Sequence, residues 1–116
     1  MTIKSLTEFN STFGTEVREV EVQFGTEAAF SIFLKPLTSA SRDAFEASCL
    51  GTKGERNLEN LRARLVAKCW VDDAGKPVGT ADEIGEMRAD ALGAVFDKVR
   101  ILNGMDKDVV KEPKND

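Results

Sequence analysis

The run Asn57-Leu58-Glu59-Asn60-Leu61-Arg62-Ala63-Arg64-Leu65-Val66-Ala67-Lys68-Cys69-Trp70-Val71-Asp72-Asp73-Ala74-Gly75-Lys76-Pro77 decides how this chain is read. Leu58, Leu61 and Leu65 recur at helical spacing, while Glu59, Arg62 and Arg64 turn toward water. Asn57 is placed to cap the helix, its side-chain oxygen meeting an unpaired N–H of the first turn. After Val66 the pattern changes: Lys68-Cys69-Trp70-Val71 reads as extended, Asp72-Asp73-Ala74-Gly75 as a turn, and Lys76-Pro77-Val78 as the returning arm of a small hairpin.

Upstream, Glu16–Phe24 alternates from Val20 onward, with Val20, Val22 and Phe24 on one face and Glu19, Glu21 and Gln23 on the other. That period of two defines a half-buried strand. Gly25-Thr26 turns the chain, and Phe30–Lys35 alternates again until Pro36 stops it. The two strands form an antiparallel hairpin, with Phe30, Ile32 and Leu34 joining the apolar face of the first. Phe33 then lies on the solvent side as a candidate contact, unless a helix crosses the sheet and buries it. Before the hairpin, Ile3, Leu6, Phe9 and Phe13 recur every three to four residues. The surrounding Ser, Thr and Asn leave that stretch as irregular chain or a short helix.

Thr38 caps an expected helix over residues 39–50, with Ala44, Phe45, Ser48 and Cys49 inward. Gly51-Thr52-Lys53-Gly54 is a loop; its spacing is not that of a phosphate-binding motif, and no strand precedes it. Thr80-Ala81-Asp82-Glu83 fits a capping box. An inward stripe follows through Ile84, Met87, Ala91, Leu92, Val95, Phe96, Val99 and Leu102, with a break or kink expected near Gly85–Ala89. Asn103-Gly104 closes that helix. The expected fold is α+β: an N-terminal antiparallel β-hairpin, then a mostly helical body of three to four helices with a small second hairpin. Residues 1–104 form a single domain and residues 105–116 a disordered charged tail.

At 116 residues the chain supports one core. Its 41% hydrophobic and 31% charged content is that of a globular domain. A net charge of −4 argues against a nucleic-acid binder, which needs a basic face. No apolar run is long enough for a membrane helix, and residues 1–6 lack a secretory segment, so the expected location is the cytoplasm. Cys49 and Cys69 read as buried, reduced thiols rather than as a disulfide or metal ligands.

The chain has no His and no Tyr, so groups for proton transfer and metal binding are scarce. Asp72-Asp73 falls in a turn, where Asp bonds the local backbone. Asp82-Glu83 falls in a first helical turn, where acids complement the dipole. Neither pair needs a catalytic explanation, and no cofactor is expected. Arg62, Arg64 and Lys68 form a small basic helix face beside Glu59, and Trp70 is the single tryptophan. Both read as structural before they read as contacts.

Leu37-Thr38 leading into Arg42-Asp43-Ala44-Phe45-Glu46, then Asn57 to Cys69, then Val71-Asp72-Asp73-Ala74-Gly75-Lys76-Pro77, and a helix ending Arg100-Ile101-Leu102-Asn103-Gly104, together resemble the tail assembly chaperones of long-tailed bacteriophages. The resemblance covers roughly residues 30–104. It implies a non-enzymatic protein of the host cell cytoplasm, absent from the mature virion. Such a protein coats the tape measure protein and helps bring tail tube subunits to it. In many phages a frameshifted longer form carries the extension that recruits the tube protein, and this chain corresponds to the shorter form. Some members self-associate into curved or spiral oligomers. The partners expected are therefore the tape measure protein, the tail tube protein and further copies of the chain, with no nucleic acid and no membrane. The alternative is a structural virion component of the tail or of the head–tail connection. No client-contact motif transfers from the family. A protein holding a long apolar helix would expose apolar side chains on an acidic body, and Phe33 and Ile101 are the candidates.

Overall fold

The computed structural model describes residues 1–26, 29–50 and 56–105. In chain order they form α1 (Leu6–Thr12), β1 (Arg18–Val22), β2 (Phe30–Leu34), α2 (Ser39–Ser48), α3 (Leu61–Cys69), β3 (Trp70–Val71), α4 (Ala81–Gly85) and α5 (Ala89–Leu102). The architecture is α+β, an antiparallel β1–β2 hairpin followed by four helices, as the patterning implies. The Gly51–Gly54 loop lies outside the described residues, as does the tail beyond Met105.

The hairpin register sets Val20 against Ile32 and Val22 against Phe30. Directly opposed residues share a face, so Val20, Val22, Phe30, Ile32 and Leu34 form one apolar surface. Val22, Ile32 and Leu34 are buried in the core with Leu61, Ala63, Leu65, Val66 and Cys69 of α3, and with Leu92, Val95, Phe96 and Val99 of α5. The reversal after β1 uses Gly25 at φ +60°, where glycine carries no Cβ penalty.

The decisive stretch folds differently from its sequence reading. Asn57 caps no helix; its Oδ1 accepts from the Glu59 N–H at 3.3 Å, closing a local turn. The helix begins at Leu61, and Asn60 precedes it in the left-handed region at φ 53° without a side-chain cap. Leu58 is thus in a turn, half-buried against the core. At the other end α3 continues to Cys69, because Ala67, Lys68 and Cys69 complete a turn whose inward residue is the fully buried Cys69. Only Trp70–Val71 is extended, and these residues do not form an isolated hairpin. They pair antiparallel with β2, Leu34 against Trp70 and Phe33 against Val71, making a three-stranded sheet in the order β1-β2-β3. The Lys35 N–H donates to the Cys69 carbonyl at 2.8 Å, joining the helix end to the sheet. The turn itself is as expected. Asp72 Oδ1 accepts from the Ala74 and Lys76 N–H groups, Gly75 sits at φ +85°, and the returning arm is a single bridge, Val71 with Pro77.

Three further boundaries differ. α2 ends at Ser48 rather than residue 50, and Ala44 and Ser48 are exposed, so its inward contribution narrows to Phe45 and half-buried Cys49. The expected kink is a full break: α4 ends at Gly85 and α5 starts at Ala89. A Cβ on Gly85 would sit 2.8 Å from the Asn60 carboxamide and push it aside, so the glycine leaves room for that side chain between α4 and the start of α3. Met105, assigned to the tail, is buried. It completes the helix terminus: the Gly104 N–H donates to Ile101 O and the Met105 N–H to Arg100 O, with Gly104 at φ +65°. This is the Schellman arrangement, in which the residue after the glycine makes an apolar contact.

The expected capping box at Thr80 and the N-cap at Thr38 are both formed. Thr80 Oγ1 accepts from the Glu83 N–H at 3.2 Å while Glu83 Oε1 accepts from the Thr80 N–H at 2.9 Å. Thr38 Oγ1 accepts from the Ser41 N–H at 3.1 Å.

Candidate functional site

Phe33 lies on the sheet face opposite the core, as its parity requires, and is half-buried beside Val71. Ile101 is 61% exposed on α5. Two residues beyond the buried Val99, it points away from the core that α5 shares with β1. The core lies between the two candidates, so they do not make one patch.

A more continuous apolar surface lies at the N-terminus. α1 is capped by Ser5, whose Oγ accepts from the Glu8 N–H at 3.1 Å, and the Lys4 N–H donates to Glu8 Oε2. It buries none of its residues. Leu6 (75% exposed) and Phe9 (43%) share one side of the helix, and Phe13 (53%) follows at its C-terminal end. Their spacing of three and four places them in line. The Phe9 and Phe13 rings lie 5.3 Å apart. The periodicity of these residues was visible in the sequence; their exposure was not, because periodicity marks an apolar face without saying what covers it.

The basic face of α3 is dismantled by its contacts. Arg64 is half-buried and its charge is engaged. Its guanidinium donates to the carbonyls of Asn57, Glu59 and Ser48 and to Ser48 Oγ, at 2.6 to 3.3 Å, tying the turn before α3 to the end of α2. Arg62 lies over the Phe96 ring, 5.6 Å from its centroid. Only Lys68 is left as a plain solvated cation.

Two clefts open beside α3. The larger, about 580 Å³, is lined by Asn57, Glu59, Asn60, Arg64, Asp82 and Glu86. Asn57 and Arg64 are committed as above and Asn60 Nδ2 donates to the Ala81 carbonyl, so these three side chains serve the fold, while Glu59, Asp82 and Glu86 give the cleft its acidic character. The smaller, about 360 Å³, lies between Leu58, Leu61, Ala63 and Leu92. Among the described residues no group of three or more His, Cys, Asp or Glu is placed to hold a metal ion, and no helix is long and apolar enough to cross a membrane.

Cys69 is enclosed beneath the sheet, and its burial pushes the thiol from the ordinary 9.0 to about 11, against the smaller opposing effects of Asn103 and Lys68. A thiol held protonated in this way is a poor nucleophile. Cys49 and Cys69 are both free.

Protein-family models, curated proteins and solved structures offer no match to this chain. Its surface is what remains to argue from: an α+β body that exposes an aligned apolar stripe on α1 and a lone Ile101 on α5.

Proposed function

We propose that this chain is a non-enzymatic chaperone or adaptor of phage tail morphogenesis, binding the tape measure protein and assisting recruitment of tail tube subunits. Two things support the reading: the resemblance over residues 30–104, and the apolar stripe of Leu6, Phe9 and Phe13. The stripe is the observation that carries it. Three large apolar side chains on a helix that buries nothing are poorly placed in water, and an amphipathic client helix is the kind of surface that covers such a row. Ile101 extends the exposed apolar inventory on another side of the body. Phe33, half-buried, is the weaker of the two original candidates.

Co-expression with the tape measure protein of the same genome, followed by pull-down and light scattering, tests the proposal. A soluble complex with many copies of this chain per tape measure chain is the expected result. An insoluble tape measure and a chaperone that elutes alone would remove the reading. The same complexes formed with Leu6→Ser, Phe9→Ser and Phe13→Ser combined should be lost or shortened.

A further inference from the structure

We propose that the free edge of β1 receives an extended segment of a partner protein in which basic and apolar residues alternate. The sheet order leaves β1 paired on one side only, with β2. Among the described residues no other backbone group bonds to Arg18–Val22, so the outer side of this five-residue strand presents unpaired N–H and C=O groups. The opposite edge of the sheet is different: β3 is covered by the returning arm at Pro77, with the Val78 N–H donating to the Trp70 carbonyl. β1 contains no Pro and no bulge, two common means of disabling an edge. An added strand can therefore continue the ladder.

Charge decides which strand. Glu19 and Glu21 are exposed on the face away from the core, and neither makes an ion pair or side-chain hydrogen bond among the described residues. Arg18 alternates to the other face. On the core side Val20 is half-buried at the rim and Val22 fully buried. A strand laid along this edge brings its residues opposite Glu19 and Glu21 to one face and those opposite Val20 and Val22 to the other. Lys or Arg on the first and apolar residues on the second satisfy both.

A second copy of this chain does not. Antiparallel pairing of β1 with itself about Val20 sets Glu19 against Glu21 of the other copy, twice. Sliding by two residues sets Glu19 against Glu19 or Glu21 against Glu21, and parallel pairing stacks the same glutamates side by side. A one-residue slip would turn the valines to water. Every register that pairs at least three residues of β1 with β1 of the other copy and keeps Val20 and Val22 inward opposes like charges, which is destabilising.

The test titrates the full chain at low salt, followed through its backbone amides, with a blocked seven-residue peptide alternating Lys and Val. Its control is a peptide of the same composition with the lysines grouped at one end. The alternating peptide should saturate, shift the amides of residues 18–22, and bind about tenfold better than the grouped one, the sum of a few cross-strand pairs. A Glu19→Lys, Glu21→Lys double variant should lose it and take up the corresponding Glu–Val peptide. Glu19→Gln with Glu21→Gln, a milder change, should weaken binding and flatten its salt dependence. Equal binding of the two lysine peptides would mean unspecific charge attraction. Shifts centred on Glu59, Asp82 and Glu86 would place the peptide in the acidic cleft, no saturation would leave the edge merely protected, and sedimentation as a β1-linked dimer would make a second copy the occupant. Any of these overturns the proposal.

Discussion

At Asn103 one carboxamide meets three parts of the fold. Its Oδ1 accepts from the Leu37 N–H at 2.7 Å, and its Nδ2 donates to the Val99 carbonyl at 2.8 Å and lies 3.6 Å from Cys69 Sγ. The sequence announced only a helix terminus here; nothing local says that an Asn side chain will hold a strand exit from 66 residues away. Asn103→Ala leaves the Leu37 N–H without its acceptor and should cost about 1–3 kcal/mol, read as a lower urea midpoint at unchanged slope. Cys69 carries a second expectation. Its folded value, about 11, exceeds the ordinary 9.0, so the folded state holds the proton more tightly. This contribution is fully present below pH 9 and is lost as pH rises toward 11. The stability of the wild type should therefore fall between those values more than that of Cys69→Ala, as measured by denaturant titration across the range.

At the scale of elements, α1 and α3 are opposites. α3 buries five of its residues, Leu61, Ala63, Leu65, Val66 and Cys69, whereas α1 buries none. Replacing Leu6, Phe9 and Phe13 with Ser, singly, should move stability by no more than about 0.5 kcal/mol, and Ile101→Ser likewise. A large fall in the thermal midpoint would show that these side chains are covered. Arg64→Ala, by contrast, frees two carbonyls at the entry to α3 and that of Ser48 at the end of α2, and should cost about 1–2 kcal/mol, checked by the same melts. The hairpin strands, the two threonine caps and the helix end at Gly104 were legible because alternation, a threonine ahead of an apolar stripe and Asn-Gly are local signals, whereas the burial of Met105 beyond that end was not. The start of α3 was misplaced because Asn57 satisfies a turn as readily as a cap, and its end because Trp70 and Val71 look extended whether or not the preceding residues are helical.

For the whole molecule, the sequence implied two separate hairpins, and the structure contains one three-stranded sheet. The missing fact was a pairing between Leu34 and Trp70, which no periodicity reports because the partners are remote in the chain. The exposed apolar side chains were partly legible: the off-stripe position of Ile101 implied its exposure, while the α1 stripe showed as spacing and not as surface.

β3, two residues long, also bears on the order of events in folding. The β1–β2 hairpin closes over a short turn and forms early, whereas bringing Trp70 to Leu34 requires α2 and α3 to be gathered between them. That closure is entropically the steeper one and belongs after the main barrier. Trp70→Ala should hence accelerate unfolding in stopped-flow mixing while leaving the refolding rate nearly as it was. The lifetime of the native state, more than the speed of reaching it, then rests on this brief strand.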